Sequence, residues 1–227
     1  MPPSTGANSK VSVGDCEHMK EKERVVVLLS GGPDSSTLAY WVKDQGYEVH
    51  TLTWRYGQTA RKEVECAISI AEKLGIPLKV IDLSSLQETL TGTPSSTDET
   101  VPLTSKFRLI LFSTAVAYAI TVGARRVFYG AQGSDPTSYH NWRRKFQKSF
   151  ETTARLATHQ DILVEAPFAE TPKSAILKLG SRLGVPFGLT WSCYLNGPKH
   201  CGTCMSCVSR KEAFKEARIP DPTEYNE

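Results

Sequence analysis

A five-residue apolar run, Val25-Val26-Val27-Leu28-Leu29, stops at Ser30-Gly31-Gly32-Pro33-Asp34-Ser35 and gives way to Ser36-Thr37-Leu38-Ala39-Tyr40-Trp41. A short continuous apolar run bounded by a Gly-rich turn reads as a buried strand, and the stretch after it reads as a helix. The turn between them is an anion site. Glycines remove the Cβ atoms that keep a phosphate from the backbone, and the first N–H groups of the helix point at the ligand with the positive end of the dipole. Hydroxyls of Ser30, Ser35 and Ser36 add donors. The lysine of a G-x-x-x-x-G-K-S/T loop is missing, which argues against ordinary γ-phosphoryl transfer. The competing reading is a Ser-Gly turn with nothing bound, and the strand-then-helix context speaks against it.

From residue 25 onward strand-like and helix-like segments alternate. Strands are expected at Val25–Leu29, Glu48–Trp54, Pro77–Leu83, Arg126–Tyr129 and Ile162–Glu165. Helices are expected at Ser35–Gln45, at Arg61–Leu74 with Val64, Ile68, Ala71 and Leu74 on one face, from Thr104 to about Gly123, from Trp142 to about His159, and from near Pro172. Such alternation gives an α/β fold, a parallel sheet with helices on both faces. Ligands of open sheets of this class sit beyond the carboxyl ends of the strands. The segments Ser30–Ser35, Arg55–Gln58 and Ala131–Tyr139 follow those ends, so the site is expected where the three meet. No internal repeat is visible.

At 227 residues the chain has room for one large α/β domain with a small appendage. Residues 1–22 are polar and lack the apolar core of a signal peptide, so they read as a mobile tail. Residues 23–190 read as the nucleotide domain and 191–227 as a C-terminal appendage. A formal charge of +3 does not call for a nucleic-acid partner, and the basic stretch Arg143-Arg144-Lys145 to Lys148 reads as the wet face of a helix. The longest apolar run, Leu109–Val122, is broken by Ser113, Thr114 and Thr121 and falls short of the ~20 residues a bilayer requires, so a buried helix is expected.

Six cysteines are unevenly placed: Cys16 and Cys66 stand alone, while Cys193, Cys201, Cys204 and Cys207 fall within fifteen residues. The x7, x2 and x2 spacings let four thiolates reach the corners of a zinc tetrahedron. With every corner taken by sulfur the ion is structural and stays out of catalysis. His200 is an awkward substitute ligand and reads as an exposed histidine; a redox or persulfide role is the other alternative for the cluster. The pattern suits a reducing cytoplasm better than a secreted disulfide framework.

The S-G-G-x-D-S turn resembles the pyrophosphate loop of ATP pyrophosphatases, which cleave ATP between the α and β phosphates. Joined to Trp54-Arg55-Tyr56-Gly57-Gln58, to Gly130, Asp135, Tyr139, Arg143 and Phe146, and to Ser192-Cys193-Tyr194 with the later cysteines, the chain from about residue 24 to 215 resembles the 7-cyano-7-deazaguanine synthases. GMP, NAD and asparagine synthetases and tRNA-thiolating enzymes share only the loop. The resemblance implies a Rossmann-like fold of the adenine nucleotide alpha hydrolase type, with ATP, Mg²⁺ and structural Zn²⁺ as cofactors. It implies that ATP adenylates the carboxylate of 7-carboxy-7-deazaguanine, that ammonia displaces AMP to give an amide, and that a second ATP carries the amide to the nitrile. By the same resemblance Ser30, Asp34, Ser35 and Lys173 serve catalysis, and Leu29, Ser30, Gly31, Gly32, Asp34, Ser35, Ser36, Thr53 and Gly130 hold the nucleotide. Tyr56, Gln58, Lys106, Arg108, Asp135, Tyr139 and Arg143 frame the deazaguanine, and Cys193, Cys201, Cys204 and Cys207 hold the metal.

The chain departs from the family pattern at two segments: after Tyr139, where His140-Asn141-Trp142 stands in place of a Pro-Asp-Cys type turn and Trp142 adds a large apolar surface, and at the segment opening the helix before the fourth strand. Where V-P-G-R-N is expected, Val101-Pro102 is followed by Leu103-Thr104-Ser105 and then Lys106-Phe107-Arg108. Moving an arginine by one helical position swings its direction by ~100°. Two other readings therefore stay open: a diverged enzyme that passes the adenylated deazaguanine to another amine, such as a protein N-terminus in bacterial antiviral defence, and a module that senses ATP without turning it over. A homodimer and the ammonia source are also open; no membrane or nucleic-acid partner is expected.

Overall fold

The computed structural model describes residues 22–56, 61–86, 103–133 and 144–226, the side chains of residues 103–106 and 144 excepted. The elements are β1 (Arg24–Leu28), α1 (Pro33–Asp44), β2 (Glu48–Arg55), α2 (Lys62–Leu74), β3 (Leu78–Asp82), α3 (Leu103–Thr121), β4 (Arg126–Phe128), α4 (Arg144–Thr158), β5 (Leu163–Glu165), α5 (Lys173–Arg182) and α6 (Met205–Ala217). Among the described residues the strands form one parallel sheet in the order β3-β2-β1-β4-β5. The chain thus begins in the middle, runs to one edge, and crosses back to fill the other half. The reversal falls between β1 and β4, where neighbouring connections leave on opposite faces and open a crevice.

The continuous apolar reading of β1 has its cause in two buried faces. Val25, Val27 and Leu29 pack with Leu38, Val42, Ala67, Ile70 and Ile176 on the side of α1, α2 and α5. Val26 and Leu28 pack with Phe107, Phe112, Val116, Phe150 and Val164 on the side of α3 and α4. Two expectations need correction. The buried face of α2 is Val64, Ala67, Ile70 and Ala71, with Ile68 and Leu74 only partly covered. The helix is rotated because its Glu63–Ala67 turn presses on the loop after β1. The helix α3 is not wholly buried either: Leu109 is 61% exposed, since only the side bearing Phe112, Ala115, Val116 and Ala119 meets the sheet. Among the described residues no helix is long and apolar enough to cross a membrane.

Beyond α5 the chain turns through Phe187–Leu189 and places Trp191 against the loop after β1. Helix α6 then packs back on α5 through Leu177, Val185, Phe187, Ala213, Phe214 and Ala217. Arg210 fastens this region from inside: its guanidinium, fully buried, donates to Thr190 Oγ1 at 2.8 Å, Ser192 Oγ at 3.2 Å, the Phe187 carbonyl at 3.0 Å and Asp221 Oδ1 at 3.3 Å. A buried charge is tolerable only when its donors are met in this way.

Helix α5 approaches α1 at Gly180, where a Cβ would stand 2.4 Å from Thr37 Oγ1 and 2.6 Å from Phe187 Cζ. Gly180→Ala is expected to cost about 1–3 kcal/mol through overpacking, against the small gain that alanine ordinarily brings to a helix. Thermal unfolding should shift downward by several degrees; an unchanged or raised midpoint would show that the α1–α5 contact is looser than described.

Candidate active site and cysteine centre

The loop between β1 and α1 is built from its own hydroxyls and from its neighbours. Gly32 caps α1, its carbonyl accepting from Ser36 N–H at 3.0 Å, Ser36 Oγ at 2.8 Å and Ser35 Oγ at 3.1 Å. Ser30 N–H donates to Ser35 Oγ at 3.2 Å, and the two hydroxyls lie 3.0 Å apart. Asp34 and Ser35 occupy the first turn, where N–H groups have no acceptor within the helix and are left for a ligand. Gly31 has φ +83°, and a Cβ on it would fall 2.1 Å from the Glu63 carbonyl oxygen and 2.9 Å from Ala67 N. The missing side chain therefore serves contact with α2. On its other side the Gly31 carbonyl accepts Trp191 N–H at 2.9 Å.

A cavity of about 260 Å³ opens over this loop, lined by Ser30, Gly32, Asp34, Ser35, Thr53, Tyr56, Arg108 and Gly130 among the residues expected there. Gly130 belongs because the end of β4 passes close to α1: a Cβ would stand 3.2 Å from Ser35 N. Lys173, at the start of α5, places Nζ 3.6 Å from Asp34 Oδ2. Burial pushes the Asp34 carboxyl up, and Lys173 partly offsets this; Oδ1 accepts no hydrogen bond among the described residues. Tyr56 is buried with its ring 5.2 Å from Phe107, and burial, with Glu63 nearby, keeps its phenol protonated. Arg108 is 3% exposed, so its guanidinium belongs to the interior of the cavity and is no surface charge.

Other expected residues stand differently. Leu29 points into the core on the far face of the sheet and its N–H is taken by the Leu52 carbonyl; strand alternation puts Leu28 in the cavity instead. Ser36 is fully buried, its hydroxyl turned back to Gly32 and not toward the cavity. Lys106 lies in α3, its side chain outside the described residues, and Gln58, Asp135, Tyr139 and Arg143 lie outside them altogether. Sequence reasoning missed Glu63, Trp54, Phe112 and Tyr129, which also line the cavity. Glu63 had a readable signal, since it sits seven residues after Tyr56 in the first turn of the next helix.

The four cysteine Sγ atoms of Cys193, Cys201, Cys204 and Cys207 lie within 4.8 Å of one another. Cys201 and Cys207 are 3.9 Å apart, near the ~3.8 Å edge of a tetrahedron of sulfurs around one zinc. Leu195 N–H and Cys201 N–H donate to Cys193 Sγ at 3.3 and 3.4 Å, and Cys204 N–H donates to Cys201 Sγ at 3.3 Å. Such donors stabilise thiolates, and N–H groups of Thr203 and Cys204 lower the Cys201 thiol to about 6. The residues fit a metal ion. His200, expected to be exposed, is buried: it lies against Trp191 at 4.0 Å between centroids, and its Nε2 accepts Ser192 N–H at 3.0 Å. Its lone pair is thus engaged away from the sulfurs, and burial followed by Arg210 lowers its imidazole to about 4. Cys66 packs beside the cluster, its thiol pushed up to about 11 by burial, as suits an inert residue.

Two solved structures share the fold. The U34-tRNA thiolase NcsA from Methanococcus maripaludis, solved with its 4Fe-4S cluster, matches with TM-score 0.53 and 18% identity over 86% of this chain and 64% of its own. The NH3-dependent NAD synthetase from Campylobacter jejuni matches with TM-score 0.50 and 20% identity over 75% of this chain and 68% of its own. Sequence similarity is much closer to the 7-cyano-7-deazaguanine synthases of Caldicellulosiruptor bescii, 40% identical over 89% of this chain and 97% of that one, and Marinobacter nauticus, 37% identical over 89% and 97%. The family model described as queuosine biosynthesis protein QueC matches residues 24–218, taking in the loop after β1, the cavity and all four cysteines. The chain belongs to the QueC family and is a ligase-type, ATP-dependent enzyme on a parallel α/β fold.

Proposed function

We propose that the protein adenylates the carboxylate of 7-carboxy-7-deazaguanine, replaces AMP by ammonia to form the amide, and uses a second ATP to convert the amide to 7-cyano-7-deazaguanine. The observation that carries this reading is one cavity in which the α1 N-terminus, Tyr56 and Arg108 converge, in a chain of this family. Departing pyrophosphate is held by N–H groups of the first turn and the hydroxyls of Ser30 and Ser35, while Mg²⁺ accompanies the triphosphate. Lys173 faces the same loop from α5, and Asp34 orients it. The substrate carboxylate is already an anion, so catalysis rests on aligning it with the α-phosphate; such alignment is worth up to ~7–11 kcal/mol. Arg108, 3% exposed where it lines the cavity, is placed to receive a carboxylate, and a charge-assisted bond there is strong. Tyr56, with Gln58, Asp135 and Tyr139, is the proposed frame for the purine-like ring, joined by Lys106 and Arg143.

The cysteines are proposed to hold Zn²⁺, which would fasten the segment that carries Trp191 against the loop. Sulfurs this close suit one ion better than an iron–sulfur cluster, whose ligands are spread over several irons. A reducing cytoplasm is the compartment that suits such a centre.

The direct test is incubation with ATP, Mg²⁺, ammonium and 7-carboxy-7-deazaguanine, followed by mass analysis. Nitrile is the expected product. The altered segment at residues 101–108 favours a second reading, transfer to another amine, and an amide that never proceeds, or a product formed only with added protein, would support that reading instead. Asp34→Asn is expected to lower AMP release at least about 100-fold while metal content stays the same, because the loop loses its orienting partner and the cysteines do not. Unimpaired turnover would sink the assignment of the loop. Elemental analysis of purified protein should find about one zinc per chain and no stoichiometric iron; visible charge-transfer absorption with iron in excess of zinc would refute the zinc proposal.

A further inference from the structure

Glu63 lines the cavity and forms no ion pair among the described residues. Its place is rigidly set. It lies in the first turn of α2, its own backbone carbonyl is the atom that Gly31 fits against, and the residue lines the cavity together with Ser30, Gly32 and Asp34 of the loop. Burial pushes that carboxyl up to about 7. The titratable groups that line the same cavity are Asp34 from α1, held by Lys173 from α5; Tyr56 just after β2; Arg108 from α3; and Tyr129 just after β4. Lys62, Glu65 and Cys66 belong to its own helix.

A half-buried acid beside an anion loop repels the phosphates when ionised unless a cation or an N–H group is handled at the same place. The proposed reaction brings such a group, because the amine arrives as ammonium and must lose a proton before it can attack. We propose that Glu63 is the general base of the amine-transfer step, a role that rests on the reading of the function given above. The carboxylate takes one proton from ammonium and becomes a carboxylic acid. The freed nitrogen lone pair forms the C–N bond, the acyl C–O bond breaks, and AMP leaves with its electron pair. A further proton from the nitrogen passes to solvent, and Glu63 returns its own to water before the next cycle. In the nitrile stage the amide oxygen displaces pyrophosphate from the α-phosphate as the same carboxylate takes one N–H proton; the C–O bond then breaks, AMP leaves with its electron pair, and the second N–H proton passes to solvent as the nitrile forms. Adenylation of the carboxylate itself removes no proton and needs no base.

That asymmetry sets the test. Carboxylate-dependent exchange of labelled pyrophosphate into ATP reads adenylation alone, and amide formation at fixed ammonium reads the transfer. Glu63→Gln should retain exchange within a few-fold and lose amide formation by about 100-fold or more, in keeping with general base catalysis. The pH profile separates this from a loss of shape. Wild-type transfer should rise as Glu63 ionises through about 7 and then level off, because ionised base and ammonium are both plentiful above that point. The Gln variant should instead keep rising about tenfold per pH unit toward the ionisation of ammonium itself, since only free ammonia remains reactive. Glu63→Asp should recover part of the rate and the levelled profile. Retained exchange with unchanged transfer in Glu63→Gln would overturn the inference alone; loss of exchange and transfer together, with correct folding, would assign Glu63 to binding and also overturn it. No carboxylate-dependent exchange in the wild type would overturn the functional reading, and this inference with it.

Discussion

Gly31 is pressed from two sides: its carbonyl accepts the Trp191 N–H at 2.9 Å, and the space its side chain would fill is taken by the Glu63 carbonyl of α2. Neither neighbour is close in sequence, so the loop after β1 is shaped by tertiary contact as much as by its own turn. A methyl group there would meet backbone, which cannot swing aside as a flexible side chain does, and the positive φ adds strain for any L residue. Three parts of the molecule therefore share one fixed point: the anion loop, the first turn of α2 with Glu63, and the segment leading into the cysteines. Preorganisation of donors before the ligand arrives is what makes such a loop useful for catalysis.

The cysteine segment has its own internal anchor. Arg210 joins Phe187, Thr190, Ser192 and Asp221 while its guanidinium lies 5.0 Å from the Phe214 ring centroid, and Asp221 also accepts from Tyr225 O–H at 2.6 Å. These bonds tie the two ends of the C-terminal region together around the sulfurs. The proposed zinc would complete a structure whose hydrogen-bonded frame is already present, and its contribution would reach the loop through Trp191. Removing one member of the buried network leaves the others without partners, which costs more than the net worth of any one bond.

Much of this was legible in the residues. The strand–turn–helix at Val25–Trp41 and the alternation that follows give the parallel sheet because short apolar runs and helical patterns are local properties of the chain. The cysteine spacing likewise announced a metal-sized cluster, since ligands close in sequence around a tight turn are close in space. What could not be read locally was decided by packing. Leu29 and Leu28 are adjacent, and which of them faces the cavity depends on the face chosen by the whole strand. Ser36 looked like a third donor but spends its hydroxyl on Gly32. His200 looked exposed until Trp191 and Tyr225 closed over it. Glu63 follows Tyr56 by seven residues, yet its local signal is ambiguous, because an acid in the first turn of a helix is ordinarily a solvated partner of the dipole.

The chemistry of this site turns on how ATP is broken. Activation at this loop is proposed to join the substrate oxygen to the α-phosphate and release pyrophosphate. With 7-carboxy-7-deazaguanine carrying heavy oxygen in its carboxylate, the AMP released during turnover should contain that isotope in its phosphate group, and pyrophosphate should contain none. Unlabelled AMP, or label appearing in inorganic phosphate alongside ADP, would show that the loop does not support adenylation of a carboxylate.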